Sequence, residues 1–462
     1  MKILKFGGSS VGNAERINSV IEILQKYYIS KKIKFSVVFS AFQGVTDKLI
    51  EIGNYAFKHN PQYANELKSL IEHHYKIATQ LNQNKDIKTL TKKLEKLFNE
   101  LKEVVDGVYL VKELTPRTLD YIVSFGEKLS CTIIGETMLN RGIDCEILFA
   151  DKLIKTDNNF GSARVDFKTT NKKIVDYFNK HKKLQIITGF ISSTSKNEIT
   201  TLGRGGSDYT ASIFGAALNA DLIEIWTDVD GILTADPRKV KNAFPLESVT
   251  YEEAMELSHF GAKVIYPPTM LPALQKKIKI VIKNTFNPEF PGTIILEKEK
   301  TSKFTVKGIS SIDDIALIQV QGGGMIGVSG IAARLFGALA RHNINIILIS
   351  QASSEHSICL AVLPKYAEES KKIIEEEFRL EIMDGKIGKV EVEKNLSIIA
   401  VVGENMRRTP GIAGKVFSSL GKNKINIIAI AQGSSELNIS LVINKSDLIN
   451  ALNILHKSLL KK

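Results

Sequence analysis

The residues best suited to chemistry sit in a few short stretches. Thr201–Ala217 reads T-L-G-R-G-G-S-D-Y-T-A-S-I-F-G-A-A, with Gly203, Gly205 and Gly206 in front of a run of small residues. Glycine lets backbone N–H groups approach a ligand closely, and a helix start adds unpaired donors of partial positive charge. Arg204 contributes a fork suited to a carboxylate or a phosphate. The same stretch is equally readable as a glycine loop in which Ser207 or Asp208 merely caps a helix. Other polar groups widen the set: Lys5 with Gly7, Gly8 and Ser9, then Ser40, Thr46, Glu127, Thr227, Asp228, Arg238 and Lys263. These are cations, glycine donors, hydroxyls and isolated carboxylates, with no metal cage and no serine–histidine–acid set. They fit a site that holds a polyphosphate on one side and a small charged molecule on the other. Phosphoryl transfer is catalysed mainly by positioning and charge neutralisation, so lysines and backbone N–H groups are the tools it needs. There is no G-x-x-x-x-G-K-[ST] and no H-R-D or D-F-G. Asp228 and Asp230 before Gly231 do not make a calcium loop, because the first and twelfth ligand positions would be Trp226 and Pro237.

These groups need elements to hold them. Lys2–Phe6 and Phe35–Phe39 read as short buried strands, separated by a helix over about 13–28 that is apolar at Ile17, Val20, Ile21 and Leu24. Strand, glycine turn, helix, strand is the pattern of a parallel α/β sheet, in which ligands gather at the carboxyl ends of strands. Further strands are expected at Cys145–Phe149, Gln185–Gly189 and Leu222–Trp226. Asp47–Asp106 reads as a lysine- and glutamate-rich helical excursion. Ser124–Glu127 is expected to open a helix that continues over Lys128–Asn140.

Bulk properties narrow the class. The chain has 462 residues, 44% hydrophobic and 24% charged, with a formal net charge of +12. Its lysines are dispersed among glutamates with no basic stripe, so solvated faces account for the charge better than a nucleic-acid partner. No apolar run is long enough for a membrane span, and Lys5 already ends the first strand, so the chain is expected to begin at Met1 without a leader. Cys131, Cys145 and Cys359 show no metal or redox spacing, which suits a reducing cytoplasm.

Beyond about residue 300 the sequence repeats. Gly330 and Gly411 stand 81 residues apart, as do Ile344 and Ile425; Gln351, Ser353, Ser354 and Glu355 match Gln432, Ser434, Ser435 and Glu436 at the same offset. Each unit reads strand, helix, strand, strand, helix. In the first these are Ile315–Val320, Ile331–Arg341, Ile344–Ser350, Ile358–Leu363 and Glu368–Phe378, with a fourth strand at Lys389–Glu393. The second lacks a fourth strand of its own. Thr305–Ile309, ahead of the first unit, is expected to supply it and interlock the two.

K-F-G-G-S-S-V at Lys5–Val11, S-F-G-E at 124–127, G-R-G-G-S-D at 203–208, W-T-D-V-D-G at 226–231, A-D-P-R at 235–238 and F-G-A-K at 260–263 together resemble aspartate kinase, a member of the amino-acid kinase superfamily with paired C-terminal ACT domains. The likeness covers essentially the whole chain in order. It implies an amino-acid-kinase-like, open, mainly parallel sheet flanked by helices, followed by two βαββαβ (ferredoxin-like) ACT domains. The implied boundaries are 1–298 for the kinase domain, 313–394 for the first ACT domain, and 303–312 with 395–462 for the second. The implied reaction moves the γ-phosphoryl of ATP, taken with Mg²⁺, to the β-carboxylate of L-aspartate, the first step toward lysine, threonine and methionine.

By the same likeness Lys5 and Asp208 would be catalytic, and Gly7, Gly8 and Ser9 would cradle phosphates. Ser40, Thr46, Glu127, Arg204 and Ser207 would hold aspartate, Glu127 on its ammonium and Arg204 on its α-carboxylate. Thr227, Asp228, Arg238 and Lys263 would hold the nucleotide, and Leu233 replaces a ring common in the family. The acceptor carboxylate is already ionised at neutral pH, so Asp208 is expected to position Lys5 or Mg²⁺-bound water rather than act as a base.

The repeats would bind an effector through Gly330, Asn345, Gln351, Gly411, Asn426 and Gln432. Threonine is favoured over lysine, because Ile347 stands where lysine-sensing relatives carry an acid. They look most like those of threonine-regulated enzymes fused to homoserine dehydrogenase, and a homodimer or larger assembly through them is implied. A superfamily kinase with another acceptor and a non-catalytic amino-acid sensor are the competing readings.

Overall fold

In the computed structural model, which describes residues 1–83, 85, 87–260, 265–299, 304–351 and 356–460, the chain divides into two compact units. The first is Met1–Ile232, Glu247–Tyr251 and Val264–Glu299, and the rest forms the second. The second unit therefore takes in Leu233–Leu246 and Glu252–Lys263, which lie inside the first domain as drawn from the sequence.

The first unit is built on an eight-stranded sheet. Its strands are β1 (Lys2–Phe6), β2 (Phe35–Phe39), β3 (Cys145–Leu148), β5 (Leu184–Thr188), β8 (Leu222–Thr227), β9 (Ser248–Thr250), β10 (Lys279–Asn284) and β11 (Thr293–Leu296), in the order β3-β5-β2-β1-β8-β10-β11-β9. From β3 to β10 every pairing is parallel; β11 then runs against β10. The central strands are mostly apolar and almost wholly buried, as a sheet covered on both faces demands, with Lys5, Gln185 and Glu224 among the polar exceptions. Phe6 stacks between Phe39 and Trp226, with ring centroids 5.7 and 5.5 Å away. A small sheet of β4 (Lys155–Thr156), β6 (Ile191–Thr194) and β7 (Ile199–Thr201) lies beside it.

Helix α1 (Ala14–Leu24) starts where the Asn13 side chain accepts the Arg16 N–H. The expected helical excursion is three helices, α2 (Val45–Phe57), α3 (Gln62–Leu81) and α4 (Lys88–Val111), packed with α5 (Pro116–Asn140) through Leu67, Leu94, Leu101 and Ile122. Helix α5 corrects the sequence reading. It opens at Pro116 behind a Thr115 cap, not at Ser124, so Glu127 sits in mid-helix rather than in a first turn or at a strand end. The local cue was the threonine–proline pair. Helices α6 (Phe167–Lys180), α7 (Gly206–Ala217) and α9 (Leu271–Gln275) complete the run, whereas α8 (Tyr251–His259) falls, after Tyr251, in the second unit.

The C-terminal repeats share one six-stranded antiparallel sheet. Its strands are β12 (Gly308–Gln321), β13 (Leu348–Gln351), β14 (Ser357–Val362), β15 (Glu391–Val402), β16 (Ala429–Ala431) and β17 (Asn438–Asn444), in the order β13-β14-β12-β15-β17-β16. Helices α10 (Ile331–Arg341), α11 (Ala367–Glu377), α12 (Arg379–Met383), α13 (Ile412–Lys422) and α14 (Leu448–Leu459) belong to the repeats. Of the strands expected at Thr305–Ile309 and Lys389–Glu393, only Gly308–Ile309 and Glu391–Glu393 are strand, and they open the two long strands β12 and β15. Gly308–Ile312 pairs with Val402–Ile398, and Ile315–Gln319 with Leu396–Glu391. The register shifts near Asp313–Asp314 mark where β12 passes from one repeat to the other. The strand expected over Ile344–Ser350 is shorter, because pairing with β14 begins only at Leu348. Outer strands β13 and β16 approach each other, Ser350 Oγ donating to Ile430 O at 2.8 Å.

Candidate active site

The carboxyl ends of β1, β2, β5 and β7 surround a cavity of about 590 Å³. It is lined by Lys5, Gly8 and Ser9; by Ser40–Gly44, Thr46 and Asp47; by Glu127, Gly161 and Phe190; and by Gly203–Asp208. Nine of the residues singled out in the sequence thus share one cavity: Lys5, Gly8, Ser9, Ser40, Thr46, Glu127, Arg204, Ser207 and Asp208.

Two helix starts face it. Gly44 and Gly205, at φ of 79° and 71°, cap α2 and α7 in the left-handed region that favours glycine, and neither helix has a side-chain cap. The capping role considered for Ser207 and Asp208 is thereby excluded, since both lie inside the first turn of α7. First-turn N–H groups left without a side-chain partner, at the positive end of a helix dipole, are donors for an anion.

Lys5 and Asp208 are 9% and 8% exposed, and Lys5 Nζ lies 2.6 Å from Asp208 Oδ1 without the alignment of a hydrogen bond. A Cβ on Gly7 would come within 3.3 Å of Lys5 Nζ, so glycine there leaves the ammonium room. Glu127 is 3% exposed, and its Oε2 has no hydrogen-bond partner. Burial pushes its carboxyl up to about 8, against the opposing pull of the Ala41 N–H and the Lys5 charge. A buried acid with a free oxygen beside a cavity is an acceptor for an incoming ammonium. Arg204 is exposed, its guanidinium carbon 5.7 Å from the centre of the Tyr266 ring, and among the described residues it forms no ion pair. A fork that can take a carboxylate and a carboxyl oxygen that can take an ammonium therefore line the same cavity.

Thr227 and Asp228, at the end of β8, do not line this cavity. Thr227 Oγ1 donates to Asp228 Oδ1 at 3.2 Å, and Gly7 N donates to Trp226 O at 3.2 Å, which places the Gly7–Ser9 loop beside that strand end. Arg238 belongs to the second unit and pairs with Asp236 through Nε and Nη2 at 3.0 and 2.8 Å. Lys263, Ser353, Ser354 and Glu355 lie outside the described residues. In the repeats, Gly330 and Gly411 cap α10 and α13 at φ of 92° and 89°, and Asn345, Gln351, Asn426 and Gln432 are exposed. Gln351 ends β13 and Gln432 follows β16, the two strands joined by Ser350.

Sequence reasoning missed Gly161 and Phe190. Phe190 directly follows the Gly189 turn at the end of β5, so the strand-end rule applied there would have found it; Gly161 sits in a polar loop with no comparable signal. A second cavity, about 750 Å³, lies at the amino ends of β2, β3 and β5 and is lined by Lys32, Lys34, Arg141, Lys182 and Lys183. Helices α5 and α6 end there. Arg141 donates to Leu81 O, Lys182 to Phe178 O and Lys183 to Asp144, so these cations answer helix-end carbonyls and a carboxylate.

A parallel sheet whose glycine turns and lysine converge on one pocket places the chain in a class. Residues 1–284 match the amino acid kinase family, and residues 318–378 and 399–459 each match the ACT domain. Among curated relatives, the bifunctional aspartokinase/homoserine dehydrogenase 1 of Arabidopsis thaliana is 38% identical over 98% of this chain and 50% of its own length. Aspartokinase 3 of the same plant is 33% identical over 99% of this chain and 81% of its own length. The solved structure of aspartokinase III from E. coli in complex with aspartate and ADP superposes with a TM-score of 0.82 at 27% identity, covering all of both chains. The chain belongs to the amino acid kinase family and, within it, to the aspartokinases. It spans about half the length of the bifunctional relatives it matches. Among the described residues no helix is long and apolar enough to cross a membrane.

Proposed function

We propose that the chain is an aspartate kinase, transferring the γ-phosphoryl of ATP to the β-carboxylate of L-aspartate to give 4-phospho-L-aspartate. The observation that carries this reading is the buried Glu127 carboxylate with a free oxygen, opening onto the same cavity as Arg204 and the Lys5–Asp208 pair. Glu127 takes the α-ammonium and Arg204 the α-carboxylate, with Ser40, Thr46 and Ser207 around the acceptor end. A β-carboxylate oxygen attacks the γ-phosphorus, the bond to the bridging oxygen breaks, and ADP leaves. The nucleophile is already an anion, so no group need take a proton. Lys5 neutralises charge on the moving phosphoryl group, and Asp208 holds Lys5 in place.

Gly7, Gly8, Ser9, Thr227, Asp228, Arg238 and Lys263 are assigned to the nucleotide. Mg²⁺ would enter with the nucleotide and keep mostly phosphate and water ligands. Mg²⁺ would neutralise β- and γ-phosphate charge, and Asp208 would orient its water.

The kinase domain is assigned to 1–298, the first ACT domain to 313–394, and the second to 303–312 with 395–462. The ACT pair is assigned an amino-acid effector, threonine over lysine, held by Gly330, Asn345, Gln351, Gly411, Asn426 and Gln432, in a homodimer or larger assembly.

A hydroxylamine trap for acyl phosphate tests the reading, run with aspartate and other amino-acid acceptors, with and without threonine or lysine. Aspartyl hydroxamate formed only with ATP and aspartate is the expected result. A different preferred acceptor, or none, would replace this reading with another kinase or with a sensor.

A further inference from the structure

Among the described residues, Asp120 is a buried carboxylate beside the cavity that the mechanism above leaves without a task. It is 3% exposed and stands on α5 seven residues before Glu127, two turns back on the same stripe. One of its oxygens, Oδ2, accepts the Gly161 N–H at 2.8 Å and the Thr201 N–H at 3.0 Å; the other, Oδ1, accepts the Thr201 hydroxyl at 2.8 Å. Gly161 lines the cavity, and Thr201 ends the strand that leads through Leu202 and Gly203 into Arg204. The two partners also touch each other. Ala163 N donates to Thr201 O at 2.9 Å, and Gly203 lies against Ser162 and Gly161 O closely enough that a Cβ there would meet both within 3.3 Å.

Three donors from two separate chain segments therefore close on one carboxylate. A carboxylate suits this junction because both of its oxygens accept and its charge strengthens all three bonds; an amide would keep the two N–H contacts only with its oxygen toward them, the Thr201 hydroxyl turning to accept from its NH₂. Among the described residues no lysine or arginine pairs with Asp120. Burial raises its carboxyl above the ordinary range, opposed by the Gly161 and Thr201 bonds. Stability alone gives little reason to bury an acid without a cation.

We infer that Asp120 is a positioning residue for the acceptor site: it ties the helix carrying Glu127 to the loop carrying Arg204 and so fixes the spacing between ammonium and carboxylate recognition. The inference rests on the aspartate kinase reading and names a determinant of that same site.

The test measures steady-state kinetics for both substrates, together with thermal unfolding, in Asp120→Asn, Asp120→Ala and Thr201→Val. Asp120→Ala is expected to raise the aspartate KM roughly tenfold and Asp120→Asn, which can keep the contacts without the charge, about threefold, while the ATP KM stays within about twofold. Thr201→Val removes one bond of the three and is expected to raise the aspartate KM about threefold without loss of fold. An unchanged aspartate KM in folded Asp120→Ala or Thr201→Val, or parallel rises in both KM values, would overturn the positioning role. A wild-type chain that forms no aspartyl phosphate would instead remove the reading on which the role depends.

Discussion

Glycine-capped helices occur in both units and are used differently. In the first, the starts of α2 and α7 open onto one cavity in which three titratable side chains, Lys5, Glu127 and Asp208, are at least nine-tenths buried. In the second, α10 and α13 have the same left-handed glycine cap, but the polar residues assigned beside them, Asn345, Gln351, Asn426 and Gln432, are neutral and exposed. A helix start of this kind is a general anion cradle. Buried charge beside it turns the cradle toward phosphoryl chemistry, where low dielectric strengthens each interaction; neutral groups leave it a recognition surface. The difference lies in the surroundings of the motif, not in the motif.

Removing the buried cation should have the largest effect. Lys5→Ala is expected to lower kcat by about 10³-fold with little change in the aspartate KM, measured by ADP release. Next, Arg204→Ala should raise the aspartate KM by roughly 100-fold and leave kcat less affected. Equal losses of both parameters in both variants would erase the division of roles.

The pH dependence of Glu127 is the third probe. Its folded carboxyl titrates near 8 rather than at the ordinary 4.5. Between those values the unfolded chain has released the proton and the folded chain has not, so the contribution of this group to stability is lost as pH rises from 4.5 to about 8. Glu127→Gln should flatten that slope, and at pH 8 its denaturant midpoint should exceed that of the wild type without substrate, by about 1–3 kcal/mol in unfolding free energy. The same buried acid predicts proton release when aspartate binds near pH 7, read by calorimetry in buffers of different ionisation enthalpy. Binding with no proton exchange would count against an ammonium at Glu127.

The smallest effect belongs to the neutral site. Gln351→Ala or Gln432→Ala should shift the threonine concentration for half-inhibition upward by about three- to tenfold. Superimposable inhibition curves in both would remove these residues from the effector site.

What sequence determined here is local. Apolar runs became β1, β2, β5 and β8, the glycines before Ser207 became a helix start, and the 81-residue repeat became two interlocked units, because periodicity and glycine geometry act over a few residues. Helix α5 marks where that reach ended. The S-F-G-E pattern points to a start at Ser124, eight residues after the true one at Pro116, and so hides that Asp120 shares a helix stripe with a mid-helix Glu127. That Lys5 meets Asp208, or that Asp120 gathers Gly161 and Thr201, follows from the sheet order β3-β5-β2-β1-β8 and from how a helix packs across it. Residues dozens to hundreds of positions apart are brought together by packing, which neither neighbour-by-neighbour preference nor spacing along the chain specifies.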